Sequence, residues 1–230
     1  MKVTIILSGG MDSVTLLHDI VKKHGAENVL AISFNYGSKH NVYELPMAMY
    51  QTSQLQVEHK IIDMVQVFAN FNSALLDHKD SEAIPEGHYE EENMKKTVVP
   101  FRNGILLSIA VGLAESNEAE IVYYGAHAGD HAIYPDCRIE FVNAMNAAAQ
   151  LGTFKNIQIL APYSEIDKVG ILKRGIELGV DYASTHTCYN PSLKGACGKC
   201  GSCQERLAAF KANRIEDPIE YQSRIIIEKK

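Results

Sequence analysis

Apolar and polar positions follow two rhythms along the chain. Val3 to Leu7 and Val29 to Phe34 are short, nearly continuous apolar runs, the pattern of strands covered on both faces. Between them Val14, Leu16, Leu17, Ile20 and Val21 recur at helical spacing. The alternation continues with a helix over His40 to Leu55, a strand at His59 to Ile62, a helix from about Asn103 to Ser116 and a strand over Glu120 to Gly125. A helix near Phe141 to Leu151, a strand at Ile157 to Leu160, and helices over Glu165 to Leu178 and Gln204 to Ala212 complete it. Such β-α repetition predicts an α/β protein with a parallel sheet, helices on both faces and ligands outside the C-terminal ends of the strands.

The rhythm lapses between Asp77 and Lys96, where seven carboxylates and three lysines surround Pro85 and Gly87. A mobile surface loop is expected there, either a solvated connector or a lid. With 230 residues the chain is long enough for one domain, taken as 1–230 with a subregion at 188–203. A net charge of −6 argues against a broad grip on nucleic acid and favours a small-molecule substrate. The sequence shows no leader with a cleavage site, and no apolar run approaches the roughly 18–20 residues of a membrane span, so a cytoplasmic protein without membrane attachment is expected.

Ser8-Gly9-Gly10-Met11-Asp12-Ser13 joins the first strand to the first helix. Glycines there permit positive φ and close approach of a ligand, and the helix start offers unpaired N–H groups, a combination suited to phosphate. Neither G-x-x-x-x-G-K-[ST] nor G-x-G-x-x-G occurs. The hexapeptide instead resembles the S-G-G-x-D-S pyrophosphate loop of the ATP pyrophosphatase (PP-loop) family, whose Rossmann-like fold is of the adenine nucleotide alpha hydrolase type. The resemblance implies ATP with Mg²⁺: Leu7, Ser8, Gly9, Gly10 and Ser13 lie along the nucleotide, and Asp12 orients the loop or holds the ion. Phe34 and Tyr36 occupy the place where that family receives adenosine; core packing is the other reading. Lys168 matches a lysine near the phosphates, with an ordinary solvated lysine as its alternative.

Four cysteines, Cys188, Cys197, Cys200 and Cys203, fall within sixteen residues. Four thiolates suit tetrahedral Zn²⁺, and a closed tetrahedron is structural because no position remains for substrate. Redox chemistry and an iron–sulfur cluster are the alternatives. Structural zinc contributes roughly 10–16 kcal/mol in small peptides, more than most folding margins.

Val99-Pro-Phe-Arg102-Asn103 and Tyr134-Pro-Asp136-Cys-Arg138-Ile-Glu-Phe complete the picture. Together with the hexapeptide and the cysteine spacing C-x8-C-x2-C-x2-C, they resemble the 7-cyano-7-deazaguanine synthase (QueC) family of the queuosine pathway. That resemblance implies conversion of 7-carboxy-7-deazaguanine, ATP and ammonia to the nitrile, through an adenylated carboxylate and an amide. Arg102 and Asn103 would then lie beside nucleotide or substrate, with Asp12, Arg102 and Lys168 as the catalytic set. Asp130, Tyr134, Asp136 and Arg138 would form the deazaguanine pocket, although Arg138 could instead anchor Glu140.

Gly129 to Ile133 depart from the acidic-aromatic-Ser-Gly pattern of many members, so an altered pocket is expected. His127 and His131 stand at helical spacing, but no helix is expected there, and pocket lining or packing is favoured over metal ligation. Two other functions remain in view: a tRNA-thiolating relative with Cys137 as persulfide carrier, and a repurposed homologue acting on another carboxylate. The resemblance also implies a homodimer, and the C-terminal region Tyr221 to Ile227, read as exposed, is expected to pair between subunits.

Overall fold

The computed structural model describes residues 1–77, 82–87 and 92–226. Five parallel strands, β1 (Val3–Ile6), β2 (Val29–Asn35), β3 (Glu58–Asp63), β4 (Ile121–Tyr123) and β5 (Gln158–Leu160), form one sheet in the order β3-β2-β1-β4-β5. Seven α-helices surround it among the described residues: α1 (Met11–His24), α2 (Asn41–Leu55), the single turn α3 (Val65–Phe68), α4 (Arg102–Ser116), α5 (Ile139–Gly152), α6 (Lys168–Leu178) and α7 (Gly201–Ala212).

Central strands carry the most apolar sequence because both their faces are covered. Val3 pairs with Val29 and Ile5 with Ala31, all four buried. One face packs Val14, Leu17, Ile171 and Leu172 of α1 and α6 against Val3, Ile5 and Leu7. On the other, Leu107, Ala110 and Val111 of α4 meet Ile32, Phe34 and Val122, and this core runs on to Cys188, Cys200 and Cys203. From β1 the chain moves outward through β2 to β3, then returns to β4 on β1's other side. The switch point between β1 and β4 is where an open α/β sheet binds its ligand.

Several expectations shift by a few residues for identifiable reasons. Helix α6 begins at Lys168 rather than Glu165, because the Asp167 side chain caps it by accepting from Gly170 N (2.8 Å). The α4 region is the one long apolar helical stretch among the described residues. Within Glu92–Ser116 an 18-residue window reaches the mean hydropathy (1.5) of a membrane span, but the stretch is a 3-10 turn over Glu92–Thr97 followed by α4, which buries Leu106, Leu107, Ala110, Val111 and Ala114 in the core.

Of the expected loop over 77–96, residues 78–81 and 88–91 lie outside the described set. The described parts are anchored: Ile84 and Met94 are buried, Lys39 Nζ donates to Glu82 O, and Gly87 N donates to Lys199 O beside the cysteines. Ile227 also lies outside the described residues. The described part of that C-terminal segment bonds within the chain: Ala196 N donates to Glu220 O, Gln222 N to Ala196 O, and Gln204 Nε2 to Ile225 O. These bonds clamp the C-terminal segment over the cysteine loop.

Beneath that clamp Arg206 of α7 is fully buried. Its guanidinium donates twice to Asp217 (2.7 and 2.9 Å), to Thr185 and Thr187 hydroxyls and to Tyr182 O, while Tyr221 OH donates to the same Asp217. Asp217 and Arg206 satisfy each other's charge, the condition under which an ion pair is tolerated away from water.

Candidate active site and cysteine cluster

The turn between β1 and α1 has the shape its sequence requires. Gly9 adopts φ +96°, and a Cβ there would lie 2.9 Å from Ala48 N and closer still to the Glu44 carbonyl, so α2 sits directly on the turn. Ser8 and Ser13 hydroxyls are 3.0 Å apart, Ser13 Oγ accepts from Ser8 N, and Gly10 N donates to Ser8 Oγ. No side chain caps α1 at Gly10, leaving its first N–H groups for a ligand. Gly9 O accepts from His186 N (3.0 Å), which ties the turn to the segment entering the cysteine loop.

One cleft opens over this turn at the switch point. Leu7, Ser8, Gly10, Asp12, Ser13, Phe34, Tyr36, Arg102, Asn103, Asp130, Tyr134 and Lys168 all line it. Gly9, Asp136 and Arg138 do not. Gly9 shapes the turn from behind. Asp136 is buried and accepts from Asn103 N (2.9 Å), so it caps the start of α4 and fixes Arg102 beside it. Arg138 Nε donates to His131 O (2.9 Å), bracing the loop after β4, and forms no ion pair with Glu140 among the described residues.

The polar lining falls into two groups. In the first, Lys168 is 5% exposed, so the solvated reading fails; its ammonium stands 2.7 Å from Glu205 and 3.2 Å from Asp12. Burial alone would lower its pKa, but Asp12, Glu205 and Asp130 together raise it, and the lysine is held as a cation. His127 Nε2 lies 3.5 Å from Asp130 and 3.7 Å from Asp12, and its Nδ1 accepts from Gly129 N, so it caps a 3-10 turn over Ala128–Ala132. Asp12 Oδ1 is buried without a hydrogen-bond partner among the described residues. An oxygen so placed fits a hard divalent cation, since Mg²⁺ takes one or two carboxylates together with phosphate oxygens.

The second group surrounds Arg102. Its Nη1 donates to Tyr36 OH (3.3 Å), and the guanidinium lies 5.6 Å from the centre of the Tyr36 ring. Burial opposes its charge, yet Tyr36, Asp136 and Tyr189 raise the pKa further. Tyr36 OH also meets His40 Nε2 (3.3 Å), and His40 stands 3.6 Å from Glu44. Burial drives His40 down to about 3, so it is neutral. The same cause pushes Glu44 up to about 8, opposed by Arg102, although 14% of its side chain faces the cleft. Phe34 and Tyr36 are buried core residues and cleft-lining residues at once.

Sequence reading passed over His40, Glu44, His186, Tyr189 and Glu205. The i,i+4 spacing of His40 and Glu44 at a helix start was a usable signal. Tyr189 follows a cysteine, and only the fold brings that loop to the cleft.

The four cysteine sulfurs lie within 4.8 Å of one another. With Zn–S near 2.3 Å, a tetrahedral ion separates its sulfurs by about 3.8 Å, and Cys197 and Cys203 stand 3.9 Å apart. Backbone N–H groups of Asn190 and Cys197 point at Cys188 Sγ, and those of Lys199 and Cys200 at Cys197 Sγ. Such donors stabilise thiolates, so the cluster fits a single metal ion. Cys137 stands apart: it is buried, its thiol pushed up by burial and by Asp130, and it accepts from Asn103 Nδ2 (3.3 Å).

Comparisons with known proteins show the family. Residues 2–214 match the family model described as queuosine biosynthesis protein QueC. The chain is 54% identical to 7-cyano-7-deazaguanine synthase 1 of Colwellia psychrerythraea, over 96% of this chain and 99% of that one. It is 52% identical to 7-cyano-7-deazaguanine synthase of Hahella chejuensis, over 95% and 92%. In fold it is similar to the U34-tRNA thiolase NcsA of Methanococcus maripaludis with its [4Fe-4S] cluster: TM-score 0.52, 16% identity, 93% of this chain and 64% of that one. The cradle, the cleft and the cysteine cluster thus sit in a chain that belongs to the QueC family of queuosine biosynthesis proteins.

Proposed function

We propose that this protein is an ATP-dependent carbon–nitrogen ligase that makes 7-cyano-7-deazaguanine from 7-carboxy-7-deazaguanine and ammonia. The observation that carries the reading is the convergence of the Ser8–Ser13 turn, Arg102 and Lys168 on one cleft in a chain with family identity above 50% along its length. A carboxylate resists nucleophiles because of its charge and its poor leaving group. Transfer of an adenylyl group from ATP removes both obstacles.

In the first step a carboxylate oxygen attacks the α-phosphorus and pyrophosphate departs. We assign the Ser8, Gly9, Gly10 and Ser13 turn and the Lys168 ammonium to the departing pyrophosphate, and Arg102 to the charge developing between carboxylate and α-phosphate. Fixed donors of this kind act without reorganising during the reaction. Ammonia then attacks the acyl carbon, AMP leaves with the original carboxylate oxygen, and a proton is lost to give the amide. In a second cycle the amide oxygen attacks another α-phosphorus, releasing pyrophosphate. Loss of the remaining nitrogen-bound protons and of AMP leaves C≡N.

Mg²⁺, for which Asp12 is the ligand we assign, supplies neutralisation of phosphate charge when bound. We assign Zn²⁺ to Cys188, Cys197, Cys200 and Cys203 as a structural ion; their close sulfur spacing suits one metal better than a cubane, whose ligands are spread by several irons. Leu7, Phe34 and Asn103 are assigned to the nucleotide, and Asp130 and Tyr134 to the cleft wall. Asp136 and Arg138 serve as supports rather than ligands in this reading, given their bonds to Asn103 and His131. A persulfide role for Cys137 is disfavoured by a buried thiol held protonated.

We place the reaction in the cytoplasm, where thiolates stay reduced, on small molecules with neither nucleic acid nor membrane as partner. The working unit is proposed to be a homodimer, with the exposed Leu151 and Phe154 at the end of α5 as available apolar surface. Incubation with 7-carboxy-7-deazaguanine, ATP, Mg²⁺ and ammonium, followed by mass spectrometry, tests the activity. Amide and then nitrile are expected; unchanged acid with metal-loaded protein contradicts the assignment.

A further inference from the structure

Lys168, Asp12, Glu205, Asp130 and His127 form a mutually paired charge cluster at one side of the turn, the side assigned above to phosphate and Mg²⁺. The other side is different in kind. Tyr36, His40 and Tyr189 pack ring to ring beside Arg102, His186 lines the same cleft with one face stacked on Tyr43, and Glu44 is the carboxylate among them. It rises from α2 beside the turn, 3.9 Å from where a Cβ on Gly10 would stand. Its described neighbours, neutral His40 at 3.6 Å and the more distant Arg102, leave its cleft-facing oxygens without a full partner.

A 7-deazaguanine presents two parallel donors, the ring N1–H and the exocyclic amine, along one edge. Two carboxylate oxygens match that edge in a bidentate arrangement, and ring walls suit its faces. Asp136 is already committed to Asn103 N, and Asp130 belongs to the phosphate side.

We infer that Glu44 reads the guanine-like edge of the substrate and is the residue by which this cleft selects a 7-deazaguanine acid over analogues lacking the amine. The inference rests on the ligase reading and adds a specificity residue to it. Groups that act on Glu44 are His40 on its own helix start, Tyr36 after β2 and Arg102 on α4, and His186 and Tyr189 from the segment entering the cysteine loop line the same cleft. Burial keeps the free carboxyl protonated near neutrality, so accepting two donors must expel that proton.

Calorimetry on the full, metal-loaded chain at pH 7, in two buffers of different ionisation enthalpy, tests this. Wild type should bind 7-carboxy-7-deazaguanine with release of most of one proton, and bind the analogue without the 2-amino group roughly ten- to hundredfold more weakly. Glu44→Gln should lose the proton release and most of that discrimination, while keeping wild-type affinity for a non-hydrolysable ATP analogue. Equal wild-type affinity for the two ligands, or a Glu44→Gln variant that still discriminates and still releases the proton, overturns the inference. The wild-type comparison needs no variant to fold. If wild type binds neither deazapurine yet binds the ATP analogue, the ligase reading falls and takes this one with it.

Discussion

Lys168 illustrates how a single side chain links stability to chemistry. It is buried between two carboxylates, and removing its charge leaves Asp12 and Glu205 facing each other. Lys168→Met should therefore lower stability by about 2–4 kcal/mol in urea denaturation, and turnover should fall far more than the loss of folded protein accounts for. Glu44 makes an opposite prediction. Its folded pKa is raised, so between the unfolded value near 4.5 and about 8 the native state holds a proton that the unfolded chain has lost. Stability from this group is present below pH 4.5 and declines as pH rises towards 8. Relative to Glu44→Gln, wild type should lose on the order of 2 kcal/mol across that interval, less than full linkage because the cleft admits water. A melting series from pH 5 to 8 measures it; a constant difference between the two proteins contradicts the raised value.

Among the elements, α2 and α7 position the cleft although neither carries a phosphate-binding motif. Helix α2 lies so close to the turn that Gly9 admits no side chain, at a φ that other residues rarely adopt. Gly9→Ala must push α2 and the turn apart, and should abolish binding of an ATP analogue while far-UV dichroism stays near wild type. Helix α7 carries Glu205 to Lys168 and is pinned by Arg206 to Asp217. Asp217→Asn leaves a buried guanidinium under-compensated and should cost about 3 kcal/mol in denaturant titration.

What the sequence made legible at this scale follows from period and chemistry. Strands β1 and β2 were visible as short apolar runs, and the turn because the first of those runs meets two glycines. The cysteine cluster was visible because four soft ligands lie close in the chain. Glu44 and Glu205 were hidden because each sits within an ordinary helical pattern, and its role comes from what the fold brings opposite. Asp136 and Arg138 matched a motif, yet a motif does not tell a residue facing the ligand from one holding the loop behind it. The same limit applied to the segment over 77–96, whose charges concealed Ile84 and Met94.

For the whole molecule, the cysteine cluster joins the C-terminal segment, the segment around Glu86 and the wall of the cleft. Cys188 is flanked by the cleft residues Thr187 and Tyr189, and Ser202 lies between Cys200 and Cys203. Loss of the ion proposed for this cluster should therefore loosen the cleft as well as the C-terminal region. Removing metal with a chelator is expected to lower the melting temperature by ten degrees or so (of order several kcal/mol), and one equivalent of Zn²⁺ should restore it. Two or more metal ions per cluster by elemental analysis would contradict a single-ion site. Light scattering decides the assembly, with twice the 25.5 kDa chain mass expected.

The central claim is that the cleft activates a carboxylate by passing it an adenylyl group. Turnover of 7-carboxy-7-deazaguanine labelled with ¹⁸O in both carboxylate oxygens tests this most directly. Two AMP molecules per nitrile, each bearing one ¹⁸O on phosphorus, are predicted. Unlabelled AMP, or label appearing in inorganic phosphate alongside ADP, would contradict it.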